Sequence, residues 1–121
     1  MPNTEATAAK WVTALASRFD VPFAARLREH FAQARLTRLC ECGCNSFVCA
    51  VPPGAGLSPL FGDGGRTSCE LAFSSDAGDP VCIIVHADAH GHFCGLDVFL
   101  GLFREAVPDG VTLGDLLSPM P

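Results

Sequence analysis

The hydrophobic period of this chain changes once, near Leu36, and that change constrains the fold more than any other feature. Before it, apolar residues recur at helical spacing. Ala8, Trp11, Val12, Leu15 and Phe19 follow the i, i+3, i+4, i+7 rule of one buried helical stripe. Thr4 is placed to cap that helix, while Lys10 and Arg18 fall on its wet side. Asp20 reads as the N-cap of a second helix, with Pro22 in the first turn, where a missing N–H costs nothing. Phe23, Leu27, Phe31 and Ala34 line one face of this second helix, and His30 falls between its apolar and polar faces.

After Leu36 the period is that of strands. Residues 36–40 and 46–51 read as two short strands flanking a cysteine-rich turn, or as one continuous bulged strand, and 66–73 as another. The Pro- and Gly-rich segment 52–65 is a long loop, and 74–80 a turn. Residues 80–87 and 93–100 predict a hairpin around Asp88-Ala89-His90-Gly91, a sequence suited to a type I turn followed by a G1 bulge. This register pairs Asp88 with His92 and His86 with Cys94. It puts Val81, Ile83, Val85, Phe93 and Phe99 on one side, and Cys82, Ile84, Leu96 and Val98 on the other. Two apolar sides imply a hairpin that is central in its sheet or covered on both faces.

Beyond Gly101 the period is lost, with Thr112 placed to cap a last short turn over 113–117. Helices first and strands afterwards predict an α+β fold: two N-terminal helices packed on an antiparallel β-meander of about four to five strands. The organisation expected is one domain over 1–121, with a helical layer 4–35, a sheet 36–101 and an irregular tail 102–121. At 121 residues, 49% of them hydrophobic and 17% charged, the chain is suited to a single packed core.

Val81 to Val85 is among the longest apolar runs, far short of the roughly 20 residues of a membrane-spanning helix, and no secretory pattern opens the sequence. An odd count of seven cysteines fits thiols or metal ligands in a reducing compartment better than a disulfide framework, so a cytoplasmic location is expected. Residues 1–38 carry six basic and three acidic side chains, whereas 39–121 carry two basic against ten acidic. An acidic, strand-rich half disfavours nucleic acid and suits a basic protein partner. The competing reading is that polar faces carry these charges for solubility.

Cys40, Cys42 and Cys44, with Cys49 close behind, form the leading candidate site for a metal or for redox chemistry. Zinc takes four ligands in a tetrahedron, and soft thiolates also suit monovalent copper. The usual pair of C-x-x-C knuckles is missing, so only a sharp turn at Gly43 brings three of the sulfurs together. A strained disulfide between cysteines one residue apart is the redox alternative. Packing is the competing account, because a free Cys behaves as a small buried hydrophobe; Cys69, Cys82 and Cys94, inside predicted strands, belong to that class. His86, Asp88, His92 and Cys94 make a second candidate set, sharing a face near the hairpin tip as a metal site or a Cys–His nucleophile pair. Against it, Asp88 and Gly91 are already explained by the turn, and His90 by exposure at the tip. No G-x-S-x-G, P-loop or H-E-x-x-H motif occurs.

Two segments carry a resemblance. The first is Arg38-Leu39-Cys40-Glu41-Cys42-Gly43-Cys44-Asn45-Ser46-Phe47. The second runs from Asp79-Pro80-Val81-Cys82-Ile83-Ile84-Val85 to Gly91-His92-Phe93-Cys94-Gly95-Leu96-Asp97-Val98-Phe99. Together they resemble small bacterial proteins of uncharacterised activity, in which a C-x-C-G-C segment precedes a hairpin with a Gly-x-Leu-x-x-Leu-Glu strand. Phe93 and Asp97 stand here in place of Leu and Glu. The resemblance covers about half the chain and implies a single α+β domain in the bacterial cytoplasm, with no activity to carry over. The reading favoured by the sequence is a non-enzymatic interaction module, of the immunity or accessory type, whose acidic half meets a basic partner through residues such as Asp97 and Glu105. The alternative is a zinc, copper or redox site at Cys40, Cys42, Cys44 and Cys49.

Overall fold

The computed structural model describes residues 4–39, 45–52, 54–62, 67–76, 78–101, 107 and 110–117. Helix α1 spans Glu5–Ala16; the Thr4 side chain caps it by accepting from the Thr7 N–H at 3.2 Å. The stripe from Ala8 to Leu15 is buried, but Phe19 departs from expectation and is fully exposed, at 103%. The cause is local. The helix stops at Ala16, and the Ser17 hydroxyl and N–H both fold back onto the Thr13 carbonyl, so Phe19 lies in a turn rather than on the stripe.

Helix α2, Ala24–Gln33, begins one turn later than an Asp20 cap would start it. Phe23 takes the N-cap position with no side-chain hydrogen bond. Asp20 instead accepts two hydrogen bonds from the Arg18 guanidinium, both at 2.8 Å. A charge-assisted fork of this kind outcompetes a cap, because it satisfies both carboxylate oxygens at once.

The sheet has six strands: β1 Arg35–Leu39, β2 Phe47–Ala50, β3 Ser68–Ser75, β4 Val81–Ala87, β5 Phe93–Leu100 and β6 Leu113–Leu116. Their spatial order is β1-β2-β5-β4-β3-β6, and all the pairings are antiparallel. The β4–β5 hairpin is central, as its two apolar sides require. The α+β class is as expected, with one more strand than the four to five anticipated and with an order that departs from a simple meander, since β2 docks on β5.

The additional strand is β6, which lies where the sequence suggests a short turn. Its Leu-Gly-Asp-Leu sequence has little strand propensity. Tertiary contacts decide instead: Leu113 and Leu116 pack on the core, the Asp115 N–H donates to the Ser74 hydroxyl at 2.8 Å, and the Leu117 N–H donates to Ala72 O at 2.8 Å. The Asp76 carboxylate accepts from the Thr112 N–H at 3.1 Å, so Thr112 is held rather than capping.

At the hairpin tip the expected turn is present. The Gly91 N–H reaches Asp88 O at 2.9 Å, the Asp88 N–H reaches His92 O at 2.8 Å, and Gly91 has φ +81°. Below the tip, Ala87 faces Phe93 but His86 faces Gly95, which leaves Cys94 as an extra residue. This bulge corrects both the His86–Cys94 pairing and the face assignment. One extra residue inverts the alternation beyond it. Leu96, Val98 and Leu100 therefore join Val81, Ile83, Val85 and Phe93 in the main core under the helices, whereas Phe99 turns to the other side with Ala72 and Cys82. Gly95 is required beside the bulge: its φ is +152°, and a Cβ there would overlap the Phe47 carbonyl oxygen on β2.

Candidate functional site

Strand alternation and the observed register place three cross-strand rows on the face turned away from the helices. One row runs Arg38, Val48, Gly95, His86, Ser68; the next Asp97, Ile84, Glu70; the third Phe99, Cys82, Ala72. The third row forms its own small buried cluster with Ile84 packed against it. Around that cluster lie a half-exposed Val48 and the two carboxylates Glu70 and Asp97. His86 Nε2 meets Asp97 Oδ2 at 2.8 Å, with both side chains partly exposed. The outer face thus combines an apolar centre with two carboxylates, and with Arg38 and His86 in the neighbouring row.

The candidate residues near the tip are divided among separate tasks. Asp88 holds the turn, its Oδ1 accepting the N–H groups of His90 at 2.9 Å and His92 at 3.0 Å. His86 pairs with Asp97 on the outer face. The ring of His92 stands edge-on to His30, with centroids 5.8 Å apart. Cys94 occupies the bulge, and its thiol pKa is raised by partial burial and by the nearby Asp88 charge. Among the described residues, no three His, Cys, Asp or Glu side chains are grouped to hold a metal ion.

Cys40, Cys42 and Cys44 lie outside the described residues, as does Glu105. Cys49 is described and buried in the core, where its Sγ donates to Phe93 O at 3.8 Å. Burial, with a smaller contribution from Cys94, pushes its thiol pKa up to about 12. A thiol in that state is a packing and hydrogen-bonding group. Ligation or nucleophilic attack would first need it deprotonated inside the core.

His30 is the residue whose importance the sequence understates. It is 1% exposed, the one buried polar side chain among the described core residues. Its Nε2 lies 2.7 Å from Ser58 O, a partner that can only accept, so Nε2 carries the hydrogen. Nδ1 is then the acceptor for the Phe93 N–H at 3.1 Å. One imidazole thereby ties α2 to the loop before β3 and to the bulged end of β5. Burial, first, and the His92 ring lower its pKa; the Ser58 hydrogen bond, Glu29 and Asp88 act in the other direction. The signal was present in the spacing, because Phe23, Leu27, His30 and Ala34 follow helical period more closely than a stripe without His30.

Among the described residues, no helix is long and apolar enough to cross a membrane. No protein-family model matches the chain, and no curated protein or solved structure matches it.

Proposed function

We propose that the protein is a non-enzymatic interaction module, of the immunity or accessory type, and that its outer sheet face receives a basic protein surface. The observation that carries this reading is the row Asp97–Ile84–Glu70, in which two carboxylates flank an apolar side chain beside the buried Phe99–Cys82–Ala72 cluster. Carboxylates so placed steer a cationic partner and set its orientation, while the apolar centre supplies contact area. A reducing, cytoplasmic setting, suited to an odd count of seven cysteines, completes the reading.

A lysine- and arginine-rich peptide with a hydrophobic centre is a direct probe. Titrated into isotopically labelled protein, it should shift the amides of β3, β4 and β5 around Glu70, Ile84, His86 and Asp97. Reversal of both charges (E70K and D97K) should abolish those shifts together with their dependence on salt. Shifts confined to the helices, or unchanged by the reversals, would defeat the assignment.

A further inference from the structure

Between β2 and β3, residues 54–62 run outside any helix or strand, with Ser58 and Pro59 exposed. Leu60 plugs the main core beneath them at 0% exposure. Its N–H donates to Gly91 O at 2.8 Å, and Pro59 packs directly on Gly91 at the hairpin tip. On the α2 side, the Arg26 guanidinium reaches Leu60 O at 3.4 Å, and Phe61 stands edge to face with Phe23, centroids 5.1 Å apart. Ser58 O takes the hydrogen on His30 Nε2 at 2.7 Å. Gly56 and Gly62 bracket residues 57–61 with φ +72° and +78°, a region that glycine enters freely and that suits a pivot.

We propose that residues 57–61 are an acid-operated strap: neutral His30 latches it shut, and a proton on His30 Nδ1 releases it and bares the seat of Leu60. While the strap is shut, Nδ1 has no room for a proton, because the Phe93 N–H points at it from 3.1 Å. Phe93 is wholly buried in the central hairpin, so the ring is the part that yields. Both nitrogens belong to one rigid imidazole. Nδ1 cannot turn from Phe93 while Nε2 keeps Ser58 O in place, so ring and strap move together toward water. Around the ring, Glu29 on α2 and Asp88 at the tip favour the cation, whereas His92 at the tip opposes it. Cys49 and Cys94, on either side of Phe93, are thiols whose pKa values are raised, and residues 54–62 carry no titratable side chain. Burial outweighs the two carboxylates while the strap is shut, and opening hydrates the ring. Opening therefore takes up one proton, so acid favours it by up to about tenfold per pH unit. Phe61 also walls a cleft of about 310 Å³ with Phe23 and Leu71, so a lifted strap joins that cleft to the seat of Leu60 as one apolar surface.

The test is amide hydrogen exchange of the full chain between about pH 8 and about pH 5, read as protection factors with and without low urea. Protection of Leu60 should fall at least about tenfold toward acid. It should stay below that of the central β4 and β5 amides and should ignore low urea, as a local opening does. His30→Gln, with no titrating nitrogen, should remove the pH dependence. If that variant misfolds, nitrogen NMR of the parent decides: the neutral His30 ring should carry its hydrogen on Nε2 and titrate below 6.5, over the range in which Leu60 loses protection. Leu60 protection that is level with pH, that still falls in His30→Gln, or that matches the strands in size and urea dependence overturns the proposal. The E70K and D97K substitutions should leave the strap's response unchanged, so failure of the partner-binding reading and failure of the strap are separately visible.

Discussion

Acidification should unfasten the chain at His30 before it affects the rest of the core. The neutral imidazole donates from Nε2 to Ser58 O and accepts from the Phe93 N–H at Nδ1. A proton added to Nδ1 sets two N–H groups against each other at a site that is 1% exposed. The Phe93 hydrogen bond is lost and a buried donor is left unsatisfied, at roughly 1–3 kcal/mol. That cost is a sizeable fraction of the roughly 5–15 kcal/mol of a typical domain. The sign follows from burial. His30's folded pKa lies below its ordinary value of 6.5, so the unfolded chain binds the proton more readily. The stabilisation is whole above 6.5 and drains away as pH falls through the folded value. Urea unfolding between about pH 8 and about pH 5 tests this, with the single tryptophan, buried Trp11, as reporter in a chain without tyrosine. Stability should fall toward the acid end in the parent. His30→Gln should be less stable near pH 8, by roughly 1–3 kcal/mol, with a flatter pH dependence that brings the two chains together toward the acid end. A parent whose stability is level across that range, or a variant with the parent's slope, would refute the role given to His30.

Gly95→Ala should cost roughly 2–4 kcal/mol, because the methyl group meets the Phe47 carbonyl and the backbone is held at φ +152°; a shift of the urea midpoint below about 1 kcal/mol would contradict that close approach. Cys49, with its pKa pushed up to about 12, has a thiolate fraction of roughly one in ten thousand at pH 8. It should resist a disulfide reagent until denaturant is added, and rapid labelling of Cys49 in the folded chain, located by mass spectrometry, would contradict its burial. Elemental analysis of the reduced protein tests the cysteine cluster directly: one equivalent of zinc or copper would assign Cys40, Cys42 and Cys44 as ligands, and none would remove the metal alternative. Asp20→Asn should lower stability by about 0.2–1 kcal/mol, since the Arg18 pair is partly solvated. Arg18 holds the Asp20 carboxyl below its ordinary 3.8, so this contribution is present above 3.8 and fades as pH falls through the folded value, and the variant should lose that part of the acid transition.

The sequence reports those features that local rules control. The stripe Ala8, Trp11, Val12, Leu15 and the turn at Asp88–Gly91 follow from helical period and turn chemistry, and both are found. The central place of β4 and β5 follows from their two apolar sides. What is illegible turns either on local competition between hydrogen bonds or on partners distant in the chain. Phe19 keeps helical spacing, but the helix ends before it. Asp20 has the chemistry of a cap and is taken by Arg18. Leu113–Leu116 has almost no strand character and becomes a strand because β3 offers it an edge. The inversion of faces along β5 turns on the approach of β2 to Gly95, which no pattern within the hairpin reveals. The candidate site is legible in part: the charge of Asp97 stands out in the sequence, but its setting beside Ile84 and Glu70 exists only once the register is known.

The supernumerary Cys94 has an implication for how this chain can change over generations. Losing a single residue from a strand in the middle of a sheet ordinarily turns its interior side outward and is lethal to folding. Here the opposite holds at one address: without Cys94, Phe93 and Gly95 become neighbours, Ala87 and His86 keep their partners, and Leu96, Val98 and Leu100 stay where they are. The strand carries its own spare, so length variation that would be purged elsewhere in the core can be tolerated at this position.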